Sequence, residues 1–143
     1  MVKRALNIII VDDNLQFRRR LKYYIENELG YSVIGEASDG IEFLKLQNAI
    51  RADIILMDIV MDKMGGLETV KRSLWQNFHL KIIAITMYIE KAYLDELIEA
   101  GFKGCVFKQN IYNQLPAALD EVKNGKLYFP DNILIDKKVN KAF

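Results

Sequence analysis

Two apolar runs in this sequence end abruptly in carboxylates. Ile54-Ile55-Leu56-Met57 runs into Asp58, and Leu6-Asn7-Ile8-Ile9-Ile10-Val11 runs into Asp12-Asp13. Carboxylates crowded together repel one another and hold protons more tightly unless a cation compensates. A hard divalent ion is the simplest compensation, and magnesium fits because it accepts few carboxylates and keeps several waters. With the ion present, Asp58 can act as a nucleophile toward a phosphoryl donor, since covalent aspartyl phosphate is established carboxylate chemistry. Two further strand-like runs end in groups suited to the same task. Lys81-Ile82-Ile83-Ala84-Ile85 ends in Thr86, whose hydroxyl can donate to a phosphoryl oxygen. Cys105-Val106-Phe107 ends in Lys108, whose ammonium can neutralise the non-bridging oxygens of a charge-spread transition state.

Each of these residues has an ordinary reading when taken singly. An acidic residue or a threonine after a strand is usually a helix cap, and a lone lysine is usually a solvated one. What argues for a site is that all of them end strands in one alternating chain.

The elements that must position them are legible in the periodicity. After Asp13, Asn14 offers a cap to a helix carrying Phe17, Leu21, Tyr24, Ile25 and Leu29, and Gly30 closes it. Arg18, Arg19, Arg20 and Lys22 lie beside that stripe and read as a solvated face. Tyr31–Ala37 reads as a second strand, Ser38-Asp39-Gly40 as a turn, and residues 41–50 as a helix. Asp58 is followed by a loop containing Gly65-Gly66, then by a helical stripe of Leu67, Val70, Leu74 and Phe78, with Trp75 off the stripe and half exposed. Leu94, Leu97, Ile98 and Gly101 mark a fourth helix, and Ile111, Leu115, Ala118, Leu119 and Val122 a fifth, which stops at Gly125. Strand and helix thus alternate five times, as in an α/β, doubly wound parallel sheet with helices on both faces. In such a sheet ligands bind at the carboxyl ends of the strands, where these polar residues fall. Residues 126–143 break the pattern and read as a linker, a docking tail or a cut end, so the expected division is one domain over 1–125 and a tail over 126–143.

The remaining bounds are broad. The 143 residues suit one domain with a single substantial core, and 51% hydrophobic and 27% charged residues are ordinary for a globular chain. A net charge of +1 gives no electrostatic argument for direct nucleic-acid binding. Cys105 is the only cysteine, so no internal disulfide or cysteine-based metal cluster forms. No apolar run approaches the roughly 20 residues of a membrane span. Met1-Val2-Lys3-Arg4 leads straight into the first strand with no room for a signal peptide, and a cytoplasmic location is expected.

Taken together, Val11-Asp12-Asp13, Leu56-Met57-Asp58-Ile59 with Met61 and Gly66, Ile85-Thr86, and Gly104 with Lys108 resemble the two-component response-regulator receiver domain over residues 5–125. The resemblance implies a flavodoxin-like (βα)5 fold with strand order 2-1-3-4-5. It implies Asp58 as phosphoacceptor, with Asp13 and Asp58 ligating Mg2+, Asp12 assisting directly or through water, and the main-chain carbonyl of Val60 completing the protein ligands. Thr86 and Lys108 would read the phosphoryl group. The donor would be a sensor histidine kinase or a phosphotransfer protein, with small acyl phosphates as substitutes, and the domain would act as a switch rather than as an enzyme. Val33–Gly40, Ile85-Thr86-Met87 and Val122–Tyr128 resemble the NarL/FixJ-like subfamily, whose members usually carry a helix-turn-helix DNA-binding domain after such an ending; this chain is too short to hold one. Homodimerisation through the fourth helix, fifth strand and fifth helix, or through helices one and five, is implied by the same resemblance.

Some positions depart from the family pattern. Cys105 stands where an aromatic switch residue is usual, Asp62 replaces a loop proline and adds negative charge near the site, and Gln109 follows the lysine where proline or aspartate is common. Tyr88 either shades the pocket or packs on the surface, and His79 reads as structural or solvated. Two alternatives set against the receiver reading are a phosphorylation-independent protein-interaction module on the same fold and a magnesium phosphohydrolase. The phosphohydrolase would need a second aspartate where Val60 stands.

Overall fold

In the computed structural model, which describes residues 5–87 and 91–129, the aliphatic runs become five strands. These are β1 (Asn7–Val11), β2 (Ser32–Ala37), β3 (Ile54–Asp58), β4 (Ile82–Thr86) and β5 (Gly104–Phe107). Between and after them come α1 (Leu15–Tyr23), α2 (Gly40–Leu44), α3 (Gly66–Gln76), α4 (Lys91–Ala100) and α5 (Ile111–Lys123). All pairings are parallel and the order is β2-β1-β3-β4-β5, so both sequence expectations, the doubly wound class and the strand order, hold. The carboxyl ends of β1 and β3, the two strands that deliver carboxylates, are therefore side by side.

Side-chain alternation along each strand divides the core between the two faces of the sheet. Ile9, Val11, Ile55, Met57, Ile82, Ala84 and Cys105 face α2, α3 and α4. Ile8, Ile10, Ile54, Leu56, Ile83, Ile85 and Val106 face α1 and α5. Burial on both faces is why β1, β3 and β4 read as nearly continuous apolar runs.

Three local expectations are corrected. The helix expected over residues 41–50 ends at Leu44 and resumes only as a 3-10 turn at Ala49–Arg51. Between them, Asn48 Nδ2 donates to the Ile34 carbonyl at 2.9 Å, tying the segment to β2 instead of continuing a helix. The third helix stops at Gln76, short of Phe78, which is 76% exposed. Its buried stripe instead contains Thr69 and Ser73, whose hydroxyls donate to the Gly65 carbonyl at 2.7 Å and the Thr69 carbonyl at 2.6 Å and so enter the interior satisfied. Trp75 is 91% exposed rather than half exposed.

The chain does not leave the body at Gly125. Tyr128 pairs in parallel with Gly104 on the outer edge of β5, its N–H donating to Lys103 O at 3.0 Å and its carbonyl accepting from the Cys105 N–H at 2.9 Å. Tyr128 packs toward the α1 and α5 face, and Phe129 is buried in the opposite core. A side chain at Gly104 would place its Cβ 2.7 Å from the Tyr128 carbonyl oxygen, which explains a glycine at the start of an otherwise apolar strand.

Candidate functional site

The acidic end of β1 is built by a relay of local bonds. Asp12 Oδ1 accepts from the Asn14 N–H at 2.8 Å, and Asn14 Oδ1 in turn caps α1 by accepting from the Phe17 N–H at 3.0 Å. Arg18 comes back over this turn, donating through Nη1 to the Asp12 carbonyl and through Nε to Glu36 Oε1 at 3.0 Å. Arg18 therefore ties α1 to the site and to β2 and is not part of a solvated face, while Arg19 and Arg20 are exposed as expected. Asp12 is fully buried and Asp13 is exposed.

Asp58 sits at the end of β3, with α3 starting directly above it. A Cβ on Gly66 would lie 2.5 Å from the Asp58 carbonyl oxygen, so only glycine lets the helix begin there. The intervening loop is held on its far side by the Gly40 N–H, which donates to Met64 O at 3.1 Å. Within it, a 2.7 Å bond from the Met64 N–H to Asp62 O closes a tight turn around Lys63, whose φ of 64° is left-handed. Asp62 itself is exposed. At Val60 the main chain passes beside the carboxylate, its N–H donating to Asp58 Oδ1 at 3.3 Å.

Lys108 enters from the end of β5. Its Nζ lies 3.1 Å from Asp58 Oδ2, to which it donates, and 2.8 Å from Asp12 Oδ2. The Asp12 contact is ionic without hydrogen-bond alignment, leaving Asp12 Oδ2 a buried oxygen with no aligned donor. The ammonium also stands 4.6 Å above the centre of the Phe17 ring. Thr86 is buried at the end of β4, in register with Phe107, the residue before Lys108.

Ligand oxygens of Asp12, Asp13 and Asp58 all lie within 4.8 Å of one another, so the three carboxylates named from sequence form one cluster. Three acids thus face one ammonium. Burial, and then the charge of Asp12, push the Asp58 carboxyl up to about 6, against the opposing pull of Lys108. Burial also works against the charged form of Lys108, but the contact with Asp12 and the charges of Asp58 and Asp12 outweigh it and raise its pKa. Excess negative charge, a buried carboxylate oxygen lacking an aligned donor and an all-oxygen donor set suit a hard divalent cation. The residues present therefore fit magnesium.

Asp12, Asp13, Asp58 and Lys108 come together as the sequence suggested, with Thr86 at the same edge of the sheet. Phe17 and Arg18 were not recognised from sequence as site residues, because a ring on a helical stripe and an arginine among arginines carry no distinguishing signal. Val60 has an exposed, uncharged side chain, so the acid a phosphohydrolase would need is absent from that position. His79 is exposed and stacks on Phe78 with ring centres 4.0 Å apart. Among the described residues no cis peptide bond occurs, and Gln109 lies in a 3-10 turn, Lys108–Asn110. Tyr88 lies outside the described residues. No helix among the described residues is long and apolar enough to cross a membrane.

Comparison with known proteins agrees with this geometry. Residues 8–120 match the response regulator receiver domain family. The chain is 36% identical over 127 residues to the transcriptional regulatory protein YdfI of Bacillus subtilis, covering 89% of this chain and 59% of that protein. It is 31% identical over 121 residues to the transcriptional regulatory protein LiaR of the same organism, covering 85% and 57%. Among solved structures, a two-component response regulator of the LuxR family from Aurantimonas superposes with a TM-score of 0.89 at 26% identity, covering 98% of this chain and all of that one. The isolated receiver domain of RcsB from Salmonella enterica serovar Typhimurium, determined with the phosphomimetic BeF3-, superposes with a TM-score of 0.79 at 26% identity, covering 91% and 96%. The chain spans less than two thirds of the length of the curated relatives it matches.

Proposed function

This chain belongs to the response regulator receiver domain family of two-component phosphorelay signalling, and we propose that Asp58 is its phosphoacceptor. The observation that carries this reading is the hydrogen bond from Lys108 to a buried Asp58 that shares its cluster with Asp12 and Asp13. A carboxylate oxygen of Asp58 attacks the phosphorus of a phosphohistidine on a sensor kinase or phosphotransfer protein. The new P–O bond forms as the P–N bond breaks, and the departing imidazole takes the bond's electron pair.

Asp12, Asp13, Asp58 and the Val60 carbonyl would hold Mg2+, which supplies positive charge to the transferring phosphoryl oxygens when bound. Lys108 stands where its ammonium can take a phosphoryl oxygen that replaces its present carboxylate partner. Thr86 provides a hydroxyl at the same edge. The phosphoryl group adds about 1.5 to 2 negative charges near pH 7, and binding it favours one arrangement of the β4 and β5 ends over another already accessible. The family match supports this phosphorelay role over a phosphorylation-independent interaction module.

The relatives are regulators of the NarL/FixJ type, and YdfI and LiaR are named as transcriptional regulatory proteins. One solved RcsB structure contains two dimers bound to DNA. We extend this to a cytoplasmic switch controlling transcription through a DNA-binding domain, with dimerisation through α4, β5 and α5 or through α1 and α5. Tyr128 and Phe129, in the segment after Gly125, pack against this domain.

The test is intact mass after incubation with acetyl phosphate and magnesium, for the parent and for Asp58→Ala. One phosphoryl group gained by the parent alone supports the assignment. Equal phosphorylation of both chains, or none even with a cognate kinase, removes it.

A further inference from the structure

Lys108 is held by two carboxylates, Asp12 and Asp58, and by one ring, Phe17. These holds differ in one respect. Both carboxylates are also the groups that ligate the cation and accept the phosphoryl group in the reading above, on which this inference rests. When those events occupy the carboxylate oxygens, the attraction from each carboxylate weakens. The ring's attraction comes from its quadrupole and is unaffected by the ionisation or ligation of its neighbours.

The ring is partly buried against the core, and the backbone that carries it is held at the start of α1. The Phe17 N–H is held by Asn14 Oδ1 at 3.0 Å, and the Asn14 N–H by Asp12 Oδ1 at 2.8 Å. Lys108 closes the circuit, 2.8 Å from the other oxygen of the same Asp12 and 4.6 Å above the ring. Next in sequence, Arg18 clamps the first turns of α1 to the Asp12 carbonyl and Glu36. The backbone that carries the ring is therefore tied to Asp12, and the ammonium lies between the carboxylate and the ring.

We propose that Phe17 is a positioning residue for Lys108, keeping its ammonium over Asp58 once the cation has taken over the carboxylates that hold it in the free domain and until a phosphoryl oxygen arrives to bind it. A lysine with four flexible methylenes would otherwise reach into solvent, and its charge would have to be brought back for each transfer.

The test compares the parent with Phe17→Leu and Phe17→Tyr and with 4-fluoro- and trifluoro-phenylalanine at position 17, which weaken the ring's negative face with little change of shape. The rate of phosphorylation by acetyl phosphate in magnesium is followed by mass. Removing a cation–ring contact of this kind is expected to slow transfer by about three- to tenfold. Leucine should show the full loss, tyrosine should restore most of the rate, and fluorination should lower it stepwise. A second readout is the ring-current shift of the Lys108 ε-methylene protons in magnesium, expected in the parent and lost in Phe17→Leu. A flat fluorination series, or an unshifted methylene in the parent with magnesium, overturns the role of Phe17 and leaves the phosphoacceptor assignment standing. A parent chain that gains no phosphoryl group overturns both.

Discussion

Replacing Asp58 with asparagine should make the metal-free domain more stable at neutral pH, although it removes an ion pair with Lys108. The reasoning follows from the raised proton affinity of that carboxyl, which burial and Asp12 lift from 3.8 to about 6. In the unfolded chain the group titrates near its ordinary value, so between about pH 4 and pH 6 the folded state binds more protons. Stability must then fall as pH rises through that window and stay lower above it. At about 1.4 kcal/mol per unit, a shift of about 2 units corresponds to roughly 3 kcal/mol. The attraction of Lys108 is already included in the net shift. Asparagine keeps the shape without ionising, so Asp58→Asn should gain about 2 to 3 kcal/mol near pH 7.5 and lose this advantage below about pH 4. Urea denaturation of both chains in chelator across that range measures the difference. Magnesium should narrow it by stabilising the parent, by about 2.7 kcal/mol at a hundredfold excess over its dissociation constant. A variant no more stable than the parent at neutral pH, or a difference independent of pH, refutes the view that Asp58 is held in a strained ionised state awaiting a cation.

Other consequences can be measured on the same protein. Phe129→Ala, or truncation after Gly125, should cost about 3 kcal/mol or more by emptying a buried aromatic site, read as a lower urea midpoint. The Cys105 thiol, buried and pushed up to about 12, should resist thiol reagents in the folded chain and react promptly in denaturant. Gly66→Ala puts a Cβ 2.5 Å from the Asp58 carbonyl oxygen, a backbone clash that should cost about 1 to 3 kcal/mol and displace Asp58. Its phosphorylation rate should fall with its melting temperature.

The chemistry was legible because it lies where strands stop. A run such as Ile54–Met57 has to be buried on both faces, and a carboxylate can follow it only where the sheet ends, so periodicity alone located Asp58, Asp12 and Asp13 at one edge. The same logic located Thr86 and Lys108. In α3 legibility failed where a local hydrogen bond or the helix end overrode the apolar stripe. Thr69 and Ser73 entered the core because their own helix offered carbonyls to their hydroxyls, whereas Phe78 stayed outside because α3 had already ended.

Sequence by itself thus determined the fold class, the alternation of elements and the identity of the acidic cluster, since these follow from local periodicity and from the rule that parallel strands point one way. Tertiary structure alone decided which side chains share Lys108 and what closes the β5 edge. The ammonium lies between Asp12, Asp58 and Phe17, three positions whose contacts depend on β4 setting the end of β5 beside β3 and β1 in one sheet, and on the packing of α1 over it. Where Cys105 offers no ring, Phe129 brings one into the same buried cluster from beyond α5. Both outcomes rest on long-range packing, in which a residue's partners are set by the burial of other segments and not by its neighbours in sequence.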